Sequence, residues 1–453
     1  MSDPRYRAQD RGWSETGARR AAVIYPEIPG VTQKHRNPDA RLEEAVGLAA
    51  AIELDVVHAE AVRLNKPVPA TLLGGGVVER LHGICEAMEI EVLIVDAALS
   101  PVQQRNLEKA IDTKVIDRTG LILEIFGARA RTHEGRLQVE LAALTFQRSR
   151  LVRSWTHLER QRGGLGFIGG PGESQIEIDR RLIDERIVRL KKELEQVART
   201  RGLHRKAREK VPYPVVSLVG YTNAGKSTLF NRLTDAEVLA KDMLFATLDP
   251  TMRKLDLPSG RTAILSDTVG FISDLPTDLV AAFRATLEEV RSARVLVHVR
   301  DISAVDSDVE KQDVEQVLGS LDIDSDTVLL EAWNKIDNLD PDARAEVLAR
   351  ADLSRRSEGE TPSYAISALS GEGFAGLLAA IDDALSRFRT EATLDMPSDD
   401  GAALAWLHRN GDVLNEVFDD DRATVHVSMD AADWARFSQR FGYEPDAATS
   451  EKS

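Results

Sequence analysis

The chain has 453 residues and a mass of 49.9 kDa, enough for two to four domains of roughly 100–200 residues each. Hydrophobic residues at 43% and charged residues at 29% exclude a fibrous or mostly disordered chain, and a single cysteine, Cys85, excludes a disulfide framework or a cysteine-based zinc site. The net charge of −16 argues on average against a nucleic-acid partner, yet residues 127–210 hold 20 Lys/Arg against 11 Asp/Glu, which leaves −25 on the rest.

Residues 1–20 read as a disordered polar tail with no apolar stretch of the secretory type. No apolar run approaches the ~18–20 residues that span a bilayer, so the expectation is a cytoplasmic protein without membrane insertion. Residues 21–125 alternate short apolar runs with helical stretches. Strands are expected at 21–25, 56–64, 91–95 and 114–116, and helices at 40–53, 77–88 and 101–111. Such alternation predicts a small α/β domain around a mostly parallel sheet.

The period changes over residues 126–211. Leu137, Leu144, Leu151 and Leu158 fall seven apart, Leu141 and Trp155 fill the stripe, and Arg148 is its one polar member. Ile183, Ile187, Leu190, Leu194 and Val197 repeat the spacing. Two heptad helices with a short connector predict an antiparallel hairpin. The connector, GGLGFIGGPGE at 163–173, has six glycines and a proline, and Arg160, Arg162, Arg180 and Arg181 flank it. A basic arm with an exposed backbone can follow the shape of RNA, although a solvated helix face would carry the same charges.

Pro212-Tyr213-Pro214 punctuates the chain, and strand–helix alternation resumes over 212–390. A polar stretch at 390–401 then separates a small α+β piece, 391–453, with helices expected at 403–417 and 431–441 and a strand at 423–427. The predicted fold class is therefore multidomain α/β: an α/β domain, a helical hairpin, a domain with a mostly parallel sheet, and a small α+β tail.

The third of these carries the chemistry. A strand runs into Gly220-Tyr221-Thr222-Asn223-Ala224-Gly225-Lys226-Ser227 and then a helix, which is GxxxxGK[ST] in strand–loop–helix context. Its glycines let successive N–H groups face phosphates, Lys226 can reach the β- and γ-phosphates, and the Ser227 hydroxyl can bind Mg²⁺. Asp267-Thr268-Val269-Gly270 matches DxxG, with Asp267 placed to hold Mg²⁺ through water and the Gly270 N–H to sense the γ-phosphate. Asn334-Lys335-Ile336-Asp337 matches NKxD. The Asp337 carboxylate can accept from two guanine donors that adenine lacks, and the Lys335 stem can cover the base. Ser367-Ala368-Leu369 fits the last base-contacting loop.

Four such motifs in order, each at a strand end, imply a GTP-binding domain and place the chain among translational-type GTPases. The switch segment is Phe245-Ala246-Thr247-Leu248-Asp249-Pro250-Thr251, in which Thr247 and Thr251 both suit a Mg²⁺ and γ-phosphate ligand. Phe271 stands where many GTPases place a water-orienting glutamine. Slow hydrolysis until a partner completes the site follows, unless another residue positions the water. The Asn223 amide suits either a loop-internal hydrogen bond or a monovalent cation such as K⁺. A metabolic P-loop kinase has no use for NKxD and a threonine switch.

FATLDPT, DTVGF, the segment Phe126-Gly-Ala-Arg-Ala-Arg-Thr-His-Glu-Gly-Arg-Leu-Gln-Val-Glu-Leu141, the GGLG at 163–166, GPGES at 170–174 and Asp179-Arg180-Arg181 together resemble the HflX family of ribosome-associated GTPases over residues 20–390. The resemblance implies that Thr247 is the Mg²⁺ ligand beside Ser227. It also implies a monomeric switch that binds GTP and GDP, engages the large ribosomal subunit and its rRNA, and splits stalled or stored ribosomes. The glycine-rich tip would then reach toward the peptidyl-transferase centre. Lys226, Thr247 and Gly270 are the expected catalytic residues. A large-subunit assembly factor without splitting activity is the competing reading. One departure is that Val77 follows Gly76 where the family often has lysine.

Overall fold

The computed structural model describes residues 19–28, 36–161, 175–208, 213–234, 244–245, 251–273, 289–321, 323–419, 421–444 and 446–447. The first sheet consists of β1 (Arg20–Glu27), β2 (Asp55–Arg63), β3 (Val92–Val95) and β4 (Lys114–Asp117), all parallel, in the order β2-β1-β3-β4. Two of its first three helices begin where a side chain satisfies their first amides. Asn37 caps α1 (Pro38–Ala50), α2 spans Gly75–Ala87, and a Ser100/Gln103 capping box opens α3 (Pro101–Ile111). These elements stand within a few residues of the expected ones. A further helix, α4 (Arg118–Arg129), had no expected counterpart. Leu121, Ile122, Ile125 and Phe126 form its buried face and Glu124, Gly127 and Ala128 its exposed one, but Leu123 is buried as well, so Leu121-Ile122-Leu123 reads as a continuous apolar run directly after β4. In this strand order the chain steps one way from β1 to β2 and the other way from β3 to β4, which opens a crevice at the carboxyl ends of β1 and β3.

The helices α5 (His133–Gln161) and α6 (Gln175–Arg208) form the antiparallel hairpin. Leu137, Leu144, Ile187 and Leu190 are buried between them, with Leu141, Ile183, Leu194 and Val197 packed alongside. Glu140 pairs with Arg186 at 2.7 Å and Arg148 with Asp184 at 3.2 Å, so the polar member of the stripe finds a charge partner at the seam's edge. The connector at 163–173 and Arg162 lie outside the described residues, as does residue 1–18 of the tail.

The second sheet is mixed but mostly parallel. It runs β10 (Ser363–Ala365), β9 (Val328–Asn334), β8 (Val295–Asp301), β5 (Val215–Val219), β7 (Thr262–Asp267), β6 (Thr251–Asp256), and only β6 is antiparallel to its neighbour. The helices α7 (Lys226–Thr234), α8 (Ser307–Gly319), α9 (Pro341–Ser354) and α10 (Phe374–Ser386) accompany it. One apolar cluster joins this sheet to the first: Val219, Phe245, Phe271, Leu296 and Val314 share it with Leu48, Ile94, Leu121 and Phe126, and with Val139 and Ala142 of α5.

The C-terminal sheet is antiparallel, in the order β12-β13-β11-β14, and has its own core. It is built from β11 (Thr390–Pro397), α11 (Gly401–Asn410), β12 (Asp412–Asp419), β13 (Arg422–Met429), α12 (Ala431–Phe441) and β14 (Asp446–Ala447). Two expectations are corrected here. The helix expected over 403–417 stops at Asn410 and 412–417 is strand: Gly411 is already extended (φ −126°), and its lack of a side chain lets Met429 and Val427 of β13 pack close, where a Cβ would come within 2.6 Å of Met429 Cγ. The separator expected at 390–401 contains β11. Ala392, Leu394 and Met396 alternate inward between polar residues, a period-2 signal hidden by polar composition. Among the described residues no helix is long and apolar enough to cross a membrane.

Candidate nucleotide-binding site

The loop 220–227 leaves β5 with backbone angles that reserve two positions for glycine. Gly220 has φ +151°, and a Cβ there would sit 2.2 Å from the Val299 carbonyl oxygen. Gly225 has φ +94°, and a Cβ there would sit 2.2 Å from Asn334 Nδ2. Between them Tyr221 and Phe271 form a parallel bridge. The Thr222 N–H donates to Phe271 O at 2.7 Å and the Phe271 N–H to Gly220 O at 3.1 Å, so the loop and the DTVGF segment are held as one unit. Asn223 is exposed with φ +59°, and Ala224 is buried.

Lys226 opens α7. Its ammonium is buried and donates to the carbonyls of Tyr221 at 2.7 Å and Gly220 at 3.1 Å. Burial pushes its pKa down to about 8, against the pull of Asp267. A Cβ on Gly270 would lie 3.1 Å from that nitrogen, which places the DxxG backbone directly over the lysine. Ser227 Oγ donates to Asp267 Oδ2 at 2.7 Å. A hydroxyl and a carboxylate side by side are the hard oxygen donors that suit Mg²⁺. Thr268 Oγ1 donates to Leu218 O at 2.6 Å and Val269 is buried, so both serve to hold the segment in place.

The base-side motifs converge on one amide. Asn334 Nδ2 donates to Ala224 O at 2.8 Å, and its Oδ1 accepts from the Ala368 N–H at 2.8 Å. NKxD thus ties the phosphate loop to the Ser367-Ala368-Leu369 loop. Lys335 has φ +66° and its Nζ lies 2.7 Å from Asp301 Oδ2 at the end of β8. Ile336 is buried, Asp337 is exposed on a 3-10 turn, Ser367 is buried and Leu369 is exposed.

The switch segment is described only at its ends. Phe245 is buried edge-on against Phe126 of α4, with ring centroids 4.7 Å apart. Thr251 begins β6, opposite Asp267 in the ladder. Ala246, Thr247, Leu248 and Asp249 lie outside the described residues. Arg160 lies on α5, and Arg180 and Arg181 are exposed on α6.

Sequence reasoning missed a second layer. Five charged side chains from the first sheet's crevice (Arg36, Arg41, Glu44, Asp96 and Arg118) meet Tyr221 and Ser273 of the nucleotide loops. The Tyr221 hydroxyl donates to Glu44 Oε2 at 2.7 Å and accepts from the Ser273 N–H at 3.0 Å. Arg118 donates to Asp96 Oδ1 at 2.5 Å, to Ser273 Oγ at 3.1 Å and to Glu44; Arg41 donates to Ser273 Oγ, and Arg36 pairs with Asp313. Burial opposes ionisation of Glu44, but Arg118 and Arg41 hold its carboxyl below the usual range; burial and the Glu44 charge raise the Tyr221 phenol, keeping it a donor. Sequence separations of 22 to 277 residues give these contacts no local signature. The one available hint was a charged pair, Asp117-Arg118, at the end of a predicted strand.

Family models match along the chain: "GTP-binding GTPase N-terminal" at 39–127, "GTP-binding GTPase Middle Region" at 129–208, "50S ribosome-binding GTPase" at 215–335 and "HflX C-terminal domain" at 352–451. The GTPase HflX of Magnetococcus marinus is 52% identical over 389 residues, covering 86% of this chain and 88% of that protein. The GTPase HflX of Escherichia coli is 43% identical over 400 residues, covering 88% and 92%. Among solved structures, a GDP complex of SsGBP is 23% identical with a TM-score of 0.49, covering 82% of this chain and 99% of that one. At 52% and 43% identity over nearly the whole length, and with the nucleotide motifs assembled in one site, the chain belongs to the HflX family of GTPases.

Proposed function

We propose that this GTPase is a cytoplasmic, monomeric switch that seats its basic hairpin on the rRNA of the large ribosomal subunit and separates stalled or stored ribosomes into subunits. The observation that carries the reading is the placement of the arm. α5 of the hairpin, part of a stretch with 20 basic and 11 acidic residues, packs into the same apolar cluster as the nucleotide loops. Arg180, Arg181, Arg189 and Lys192 of α6 share one open surface patch with Asp184 and Glu185, a net positive face on which phosphate oxygens would compete with those two carboxylates.

In this reading the N–H groups of Gly220, Tyr221, Thr222, Asn223, Ala224 and Gly225 and the Lys226 ammonium cradle the phosphates. The buried Thr222 hydroxyl, which has no hydrogen-bond partner among the described residues, supports a ligand at that wall. Ser227 and Thr247 would ligate Mg²⁺ with Asp267 behind them, and the ion when bound would neutralise phosphate charge. The commitment of Thr251 to the β6 ladder supports Thr247 as the switch threonine. Gly270 reports the γ-phosphate through its N–H. Lys335 covers the base and Asp337 selects guanine. Asn223 is the place to look for a K⁺ requirement. Phe271 is 3% exposed and apolar, so it orients no water, which favours slow turnover until the ribosome completes the site.

Sedimentation of intact ribosomes with the protein and a non-hydrolysable GTP analogue tests the function. Release of both subunits is expected; binding to free large subunits alone would favour the assembly reading, and no association would remove both. Replacing Asp337→Asn should shift preference from GTP toward XTP by at least about a hundredfold, since one acceptor becomes a donor facing a donor. Unchanged discrimination would refute the base-reading role.

A further inference from the structure

Between the hairpin and the nucleotide loops runs a short series of buried polar contacts that the nucleotide chemistry does not use. Arg150 lies on α5, its side chain 17% exposed, with its guanidinium 4.9 Å from the Phe146 ring centre. It donates to Asp117 Oδ2 at 2.9 Å and to Gln104. Asp117 divides its carboxylate: Oδ1 accepts from the Gly120 N–H at 2.8 Å and so caps α4, while Oδ2 takes Arg150. The next residue, Arg118, is buried and donates to Ser273 Oγ at 3.1 Å and to Ser273 O at 3.3 Å. The Ser273 N–H in turn donates to Tyr221 Oη at 3.0 Å, and Tyr221 is the first residue after Gly220 in the phosphate loop.

This series is mechanically tight. A displacement of α5 against the first sheet either carries Asp117 with it or breaks the Arg150 pair. Both alter the first turn of α4, from which Arg118 holds Ser273, and a close-packed junction transmits such a shift instead of absorbing it. The geometry points to Arg150 as a positioning residue that couples the hairpin to the segment following DTVG, so that a ligand seated on the hairpin changes turnover at the nucleotide. The inference rests on the proposed engagement of ribosomes by the hairpin. Where the hairpin's ligand also changes nucleotide affinity, linkage requires the nucleotide to change the hairpin's affinity by the same factor; turnover carries no such reciprocity.

The test uses the full chain with Arg150→Gln and Arg150→Lys, measuring GTP turnover alone, turnover with saturating ribosomes, and ribosome affinity by co-sedimentation. For Arg150→Gln we expect unstimulated turnover within about twofold of wild type, affinity within about threefold, and stimulated turnover reduced roughly five- to twentyfold. Arg150→Lys should restore part of the stimulation, since it keeps a charge against Asp117 but loses the fork. Adding Ser273→Ala to Arg150→Gln should cost little more stimulation than either change alone, because both interrupt one series. Full stimulation of Arg150→Gln, an equal fall in stimulated and unstimulated turnover, or additive losses in the double variant would each overturn the assignment while leaving the ribosome reading intact. A wild-type turnover unmoved by ribosomes would overturn both.

Discussion

The phosphate cradle and the ionic junction behind it meet at Tyr221, yet they are built from opposite materials. The cradle is made of backbone: two glycines with positive φ, a bridge between Gly220–Thr222 and Phe271, and the Asn334 amide stapling two loops. Its parts are close in sequence or lie at strand ends, and each is fixed by sterics. The junction is made of long side chains from α1, α4 and the ends of β3 and β7, and it is held only if every buried charge finds its partner. Three buried phenylalanines, Phe126, Phe245 and Phe271, sit beside it. Each is worth about 1.5–3 kcal/mol by burial alone, whereas buried ion pairs often gain little net energy after desolvation. The apolar cluster therefore holds the two sheets together, and the ions determine how they are aligned.

The contrast can be broken most sharply at Glu44, whose carboxylate meets Arg118, Arg41, Arg36 and the Tyr221 hydroxyl. Glu44→Ala leaves buried cations uncompensated and should lower stability to urea by about 3–5 kcal/mol with nucleotide affinity retained in the folded protein. If affinity collapsed while stability stayed level, the division between alignment and cradle would be wrong. Gly225→Ala strikes the other side. With φ at +94° and a Cβ 2.2 Å from Asn334 Nδ2, it should weaken GDP binding by at least about a hundredfold in calorimetry, with the melting temperature changed by only a few degrees. Near-normal binding would show that the loop can relax around a methyl group.

The smallest effect concerns Lys226. Its pKa, about 8 against an ordinary 10.5, is lowered by burial, and polyphosphate favours the ammonium form. Binding must then take up a proton once the pH passes 8. GDP affinity should fall about fourfold between pH 7 and pH 8.5, with proton uptake visible in buffers of different ionisation enthalpy. A flat profile would mean that the carbonyls of Gly220 and Tyr221 hold the ammonium fully charged in that range.

How much of this was legible in the sequence follows from range. The strands and helices of the first sheet, the heptad hairpin and every described nucleotide motif were readable, because each is set by neighbours within a few residues: Pro101 after Ser100, Leu137 and Leu144 one heptad apart, Gly225 before Lys226. The misses have the same explanation in reverse. α4 opens on the unbroken apolar run Leu121-Ile122-Leu123 after a strand, which obscures its period; β11 buries only three alternating residues in a polar stretch; and the helix expected through 417 ends at Asn410, where Gly411 turns extended and packs close against Met429 and Val427 of β13.

The chain's order of residues therefore determined, unaided, the glycine-bearing loop of a GTPase and what chemistry its atoms offer a nucleotide, because backbone sterics and short-range hydrogen bonds need no distant partner. Only the tertiary structure decided that Tyr221 and Ser273 sit in the crevice of another sheet among Arg36, Arg41, Arg118 and Glu44. Charge pairing across 22 to 277 residues has no local imprint, and burial turns such charges into determinants of alignment only once the chain has closed around them.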